Sequence, residues 1–167
     1  LNEVLAKYFE YISVCPELEV GMGVPRKSVR LVGSSKNPKM IEPDSKVEWT
    51  DKMKKYSEKK SKQYKNLCGF IFKKGSPSCG VFRVKVYKKN GIPLPDGRGL
   101  FAEQVAKQWP LLPMEEEGRL NDAGLRENFL QRIFGYKRLK DLSQKRFRRG
   151  DWIDFHQKNK FLLLSHG

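Results

Sequence analysis

Apolar residues at Leu1, Val4, Leu5, Tyr8, Phe9 and Ile12 fall at i, i+3, i+4, i+7, i+8 and i+11, which predicts a helix from Leu1 to about Tyr11. Val14-Cys15-Pro16-Glu17 follows, where proline cannot continue that helix, and Gly21, Gly23 and Pro25 mark a loop. Val29 to Val32 reads as a short strand, and the glycine, serines and prolines from Gly33 to Pro43 as another loop. Residues 48–65 are lysine-rich with a helical pattern, Thr50 or Asp51 being suited to the N-cap. Leu67-Cys68-Gly69-Phe70-Ile71-Phe72 has the pattern of a buried strand. A turn-rich loop from Lys73 to Gly80 carries Ser76-Pro77-Ser78-Cys79, and Val81 to Tyr87 reads as an extended segment.

In the second half, Asp96-Gly97-Arg98-Gly99 predicts a turn and Leu100 to Gln108 a helix, ended by Trp109-Pro110 and Pro113. Glu115-Glu116-Glu117-Gly118-Arg119 leads into a long amphipathic helix from Asp122 to Leu142, with Leu125, Phe129, Leu130, Ile133, Phe134 and Leu139 on its apolar face. A last helix with its own apolar stripe begins near Asp151. Strands alternating with helices predict an α/β class: a layered, Rossmann-like domain with a short, mostly parallel sheet, followed by C-terminal helices. No internal repeat is visible.

Charge adds a second layer. Lysine and arginine number 34 against 19 acids, a net charge of +15, while 38% apolar residues and 10 phenylalanines set the chain apart from disordered sequences. The basic residues gather in two stretches. One holds Lys52, Lys54, Lys55, Lys59, Lys60, Lys62 and Lys65, with Tyr56 and Tyr64 between them; the other holds Lys137, Arg138, Lys140, Lys145, Arg146, Arg148 and Arg149, near Tyr136 and Phe147. These are either solvated faces or an electrostatic footprint for RNA or a phosphorylated nucleotide. No apolar run reaches the roughly 18–20 residues of a membrane span, and no signal-peptide pattern opens the chain. Three cysteines, an odd number, argue against a disulfide framework. A cytoplasmic protein without a membrane partner is the expectation.

Candidate chemistry centres on Cys15 and Cys79, each in a proline-containing loop beside polar residues, as sites in α/β domains are. Two readings stand for them, a pair of small buried side chains or a pair of site thiols. Cys68, inside an apolar run, reads as a buried thiol without function. His156 and His166 lack the i, i+4 spacing of paired ligands and read as surface or packing residues. Glu115, Glu116 and Glu117 read as a solvated acidic turn, with Arg119 as a partner. Gly97-x-Gly99 lacks the Lys-Ser/Thr of a phosphate loop.

Val14-Cys15-Pro16-Glu17, Gly21-Met22-Gly23-Val24-Pro25-Arg26 and Gly69-Phe70-Ile71-Phe72-Lys73-Lys74-Gly75-Ser76-Pro77-Ser78-Cys79-Gly80 together resemble the thiouracil desulfidase family. Leu112 to Leu120 and Leu125 to Phe129 resemble its two-domain, YbgA-type members, and Phe155-His156 through Lys160 the opening of their second domain. The resemblance implies an enzyme that removes sulfur, as sulfide, from a thiolated uracil base or nucleoside, using a four-iron, four-sulfur cluster held by three cysteines. With three thiolates one iron stays open as a Lewis acid for soft sulfur. By motif position Cys15 and Cys79 would be two of these ligands, Glu17 would handle the proton of the attacking water, and Ser76 would assist. The family's first cluster cysteine lies in an N-terminal segment ahead of the residues present here, and Cys68 does not match its position.

The start at Leu1 and the apolar end near Gly167 predict a fragment, inactive as it stands. It would comprise a desulfidase-like domain over 1–120 lacking its first strand and cysteine loop, a helical connector over 121–150, and the start of a second domain over 151–167. The partner expected is a small thiolated pyrimidine, with RNA on the basic faces as a second. The rival class is a basic RNA- or DNA-binding module without catalysis.

Overall fold

The computed structural model describes residues 5–144, 146 and 148–165. Leu1, Val4, Lys145, Phe147 and His166 lie outside them, as do the side chains of Leu162 and Leu163. The predicted first helix does not reach Tyr11. Tyr8 N and Phe9 N both donate to Leu5 O, closing one turn, and no helix follows until Pro16. Tyr8 and Ile12 are 70% and 69% exposed, so the periodic stripe is not a buried face; instead Phe9 packs on the ring of Phe134.

Among the described residues six strands and five α-helices follow. Helix α1 is the single turn Pro16–Glu19, β1 spans Arg30–Ser34 and β2 Asn37–Ile41. Helix α2 (Thr50–Ser61) leads through a short 3-10 turn to β3 (Phe70–Phe72), β4 (Val84–Tyr87) and β5 (Pro93–Gly97). Helix α3 (Leu100–Gln108), β6 (Met114–Glu116), α4 (Ala123–Ser143) and α5 (Arg149–Ser165) complete the order. One sheet runs β2-β1-β4-β5, the other pairs β3 with β6. The layered α/β class holds. Its β1–β4 and β3–β6 pairings are parallel, while β1–β2 and β4–β5 are antiparallel hairpins.

Those hairpins correct two expectations. The Gly33–Pro43 loop contains β2, and Asp96-Gly97, expected in a turn, ends β5. Both β2 and β5 are edge strands, where proline costs no central ladder bond, so Pro38, Pro93 and Pro95 mislead when read as loop signals. The N-cap of α2 is also corrected. Trp49 occupies it, and Thr50 Oγ1 instead accepts from Met40 N at 2.9 Å, fastening the helix to β2.

The core lies between the four-stranded sheet and the α2–α3 layer, with Leu31, Met40, Met53, Val84, Val86, Phe101 and Val105 almost fully buried. Phe101 joins the two sheets, its ring 6.2 Å from Phe72 and 6.3 Å from Tyr64. Burying side chains of this size contributes about 1.5–3 kcal/mol each. A second cluster, Leu120, Phe129 and Ile133, sets α4 on β3. Helix α4 begins where the sequence places its start, with Asp122 as N-cap accepting from Leu125 N. On α5 the expected apolar stripe faces outward at Ile153, Phe161 and Leu164, and among its described side chains the buried one is Asn159, held by Arg138.

Candidate active site

Two loops build the site, and local sequence shapes each. Pro16 opens α1 because a proline at the first helical position sacrifices no needed N–H, and this leaves Cys15 at the N-cap and Glu17 in the first turn. Gly21 and Gly23, at φ +93° and +73°, turn the chain back so that Arg26 meets Glu17. The second loop follows β3. Gly80 N donates to Ser76 O, and Ser76 Oγ accepts from Ser78 N and Cys79 N, so the serine caps its own turn. Helix α3 seals it from below: Leu100 N donates to Pro77 O, and Phe101 N and Ala102 N to Ser78 O. A side chain at Gly99 would meet the Ser78 carbonyl at 2.4 Å, so glycine lets the helix approach.

The loops enclose a cavity of about 460 Å³ whose walls include Cys15, Glu17, Arg26, Ser76, Ser78 and Cys79. All four residues expected in the site are therefore together. Glu17, 7% exposed, is held from three sides: Ser78 Oγ donates to its Oε1 at 2.6 Å, Ser76 Oγ to the same oxygen at 3.0 Å, and Arg26 Nε lies 2.7 Å from Oε2. Ser78 Oγ also lies 3.6 Å from Cys79 Sγ. Arg26 and Ser78 were not singled out from the sequence, although both stand inside the motifs that were; what assigns them is the convergence in space.

Burial pushes the Cys79 thiol up to about 12; the Ser78 hydroxyl opposes the rise, and the negative charges of Glu17 and Cys15 add to it. An isolated thiol here keeps its proton at neutral pH, whereas a metal replaces that proton outright. Tyr64 OH is buried without a hydrogen-bond partner among the described residues, and burial, Glu19 and Cys79 raise its pKa. Among the described residues no three Cys, His, Asp or Glu side chains come together as a metal-binding group. The donors that converge on the cavity are the two thiols.

The remaining candidates lie elsewhere. Cys68 is half-buried in a separate groove with Leu5, Phe9, Ile71, Phe129 and Ile133. His156 is exposed. The acidic turn is not solvated: Glu115 and Glu116 are 7% and 1% exposed, because β6 carries them inward beside β3. Glu115 does pair with Arg119, at 2.8 Å. A larger depression of about 750 Å³ lies between the hairpin tips and contains none of these residues.

A layered α/β domain whose loops after Val14 and β3 place two thiols beside a Glu–Arg–Ser network defines the class of protein. The sequence model of the 2-thiouracil desulfurase family matches residues 1–117, and the chain belongs to that family. Among solved structures, one described as a 4Fe–4S-dependent thiouracil desulfidase, TudS, is similar in fold, with a TM-score of 0.55 and 19% identity over 74% of this chain and 78% of that one. No curated protein matches the chain.

Proposed function

We propose that the protein replaces the sulfur of a thiolated uracil, as free base or nucleoside, by oxygen and releases it as sulfide. The observation that supports this reading is the convergence of Cys15, Cys79, Glu17 and the two serines on one cavity in a member of this family. The conversion balances as a hydrolysis: a C=S group and water give C=O and hydrogen sulfide, with no change in oxidation state. It demands a place for a soft sulfur atom and a route for protons.

Glu17 supplies the proton route. Its Oε1 accepts from both serines and its Oε2 faces Arg26, so the carboxylate is fixed at the cavity wall as the base that takes a proton from water. Ser76 is the more exposed serine and the one within reach of a cavity water; Ser78 is buried and ties Glu17 to Cys79. Arg26 holds the carboxylate facing them.

Cys15 and Cys79 would hold a 4Fe–4S cluster like the one named for TudS, which when bound supplies a soft Lewis acid for the thiocarbonyl sulfur. Two thiols in one partly buried cavity fit two ligand positions. A three-thiolate set needs one more cysteine than the cavity holds among the described residues, and Cys68, in its separate groove, does not supply it.

Anaerobic loading with ferrous iron and sulfide of the chain extended by the family's N-terminal cysteine segment, followed by 2-thiouracil or thiouridine, tests the proposal. The expected result is iron uptake that needs both thiols, and release of one sulfide for each oxygenated pyrimidine formed. An iron-loaded protein that releases no sulfide from either substrate overturns it.

A further inference from the structure

The loop bearing Ser76, Ser78 and Cys79 is gripped at both ends by neighbouring carboxylates of one strand and its exit. Glu116 Oε1 accepts from Val81 N at 2.8 Å and from Phe82 N at 3.1 Å, immediately after Cys79-Gly80. Glu117 Oε2 accepts from Lys74 N at 2.7 Å, and its Oε1 lies 2.9 Å from Lys73 Nζ, just before Ser76. The β3–β6 register, with Phe72 opposite Glu116, delivers both acids to the loop.

Glu116 stands out by its surroundings. It is 1% exposed, and among the described residues no lysine or arginine forms an ion pair with it. A buried carboxylate is costly unless its lone pairs are filled, and here two main-chain amides fill those of Oε1. An aliphatic residue would occupy the same volume without that cost, so what the acid uniquely supplies is its hold on Val81 and Phe82. The carbonyls of Pro77 and Ser78 are bound by the first amides of α3, Gly80 by Ser76 and Gly99, and the Val81 carbonyl by Arg98 Nε, which leaves the Val81 and Phe82 amides to Glu116.

We propose that Glu116 is a positioning residue of the site: it fixes the backbone of residues 81–82 and thereby the direction in which Cys79 presents its sulfur, while Glu117 fastens the other end. This rests on the reading of Cys79 as a site thiol.

Residue-resolved alkylation of the metal-free chain, together with hydrogen exchange at Val81 and Phe82, tests it. Glu116→Gln keeps the length and a carbonyl acceptor, Glu116→Asp keeps the charge but withdraws it by one methylene, and Glu116→Ala removes both. Loss of two hydrogen bonds to a buried acceptor should speed Cys79 alkylation and the two amide exchanges about tenfold in the Asp and Ala variants. Cys68 should react at an unchanged rate, and the Gln variant should stay within about twofold of the parent on every readout. A folded Asp or Ala variant with parental rates overturns the proposal. So does a Gln variant as fast as Asp, or equal acceleration at all three cysteines, which marks general loosening. If the Ala variant fails to fold, the Asp–Gln pair decides. These readouts require neither iron nor thiouracil, so a protein that shows the grip but releases no sulfide refutes the proposed activity and leaves the role of Glu116 intact.

Discussion

Cys68 precedes β3 and Cys79 follows it, yet three strand residues separate two different solvents. Around Cys79 stand Ser78, Glu17 and Arg26, whose partial and full charges are fixed by hydrogen bonds. Around Cys68 stand Leu5, Phe9, Ile71, Phe129 and Ile133, with Lys137 on the same groove, and among the described residues its thiol meets the Asn66 carbonyl at 3.8 Å. The first arrangement brings a hydrogen-bonded carboxylate and two thiols to one cavity; the second packs a helix on a strand. What separates them is the chain's partner on each side: at one end of β3 a returning loop with charged side chains, at the other an amphipathic helix. A cysteine's residue type therefore says little until the elements that cover it are known.

The sharpest way to break this comparison is to remove each thiol. In the chain extended by the family's N-terminal cysteine segment, Cys15→Ser and Cys79→Ser should abolish iron retention and sulfide release, since serine is a harder and poorer ligand, whereas Cys68→Ala should leave both nearly intact. Iron content and sulfide yield of the three variants, prepared side by side, decide it. Equal loss in the Cys68 variant would make the groove part of the site.

Next in size is the proton route. Glu17→Gln preserves shape and hydrogen bonding but removes the basic carboxylate, so it should keep iron and lower turnover by roughly 10²–10⁴-fold. Ser76→Ala should act in the same direction, less strongly. Steady-state rates against iron content separate the two effects; parental turnover in the Glu17 variant would show that water is activated without this carboxylate.

How far the sequence foresaw this division depends on range. Cys15, Glu17, Ser76 and Cys79 were legible because short motifs carry them, and the Leu100–Gln108 helix matched its predicted span because proline and glycine bracket it. The failures are long-range. Phe9 abandons its helix for Phe134, a contact that periodicity does not encode. Glu116 looks like surface by composition, and only the β3–β6 pairing turns it inward onto the Val81 and Phe82 amides. Arg26 becomes a partner of Glu17 only once the glycine turns have closed.

Glycines on the two sides offer a smaller, structural test. At Gly99 an added Cβ meets backbone atoms of Ser78 at 2.4 Å, and neither the helix nor the loop has room to yield. Gly99→Ala should cost about 2–3 kcal/mol in denaturant unfolding. At Gly69 the obstacle is the Ile133 side chain, Cγ1 at 2.8 Å and Cδ1 at 2.9 Å, rather than backbone. Gly69→Ala should cost about 1 kcal/mol. Equal losses would mean that the groove is as rigid as the thiol loop.

The smallest expected effect concerns the basic face of α2. Lys54 binds the Asn37 side chain and Lys60 pairs with Glu19 at 3.0 Å, while Lys55 and Lys59 are exposed. None of the four lines the cavity that holds Cys15 and Cys79. A free thiolated base carries no phosphate, so replacing Lys54, Lys55, Lys59 and Lys60 by glutamine should leave its turnover unchanged at every salt concentration. Were RNA the substrate, affinity would fall with salt at a log–log slope of about −0.7 for each phosphate contact, and the variant would flatten that slope. Turnover of 2-thiouracil and of a thiolated RNA, each measured across a salt series in parent and variant, distinguishes the two. Activity confined to RNA and lost in the glutamine variant would extend the site from the thiol cavity to the α2 surface, and the cavity would then be the chemical end of a longer binding track.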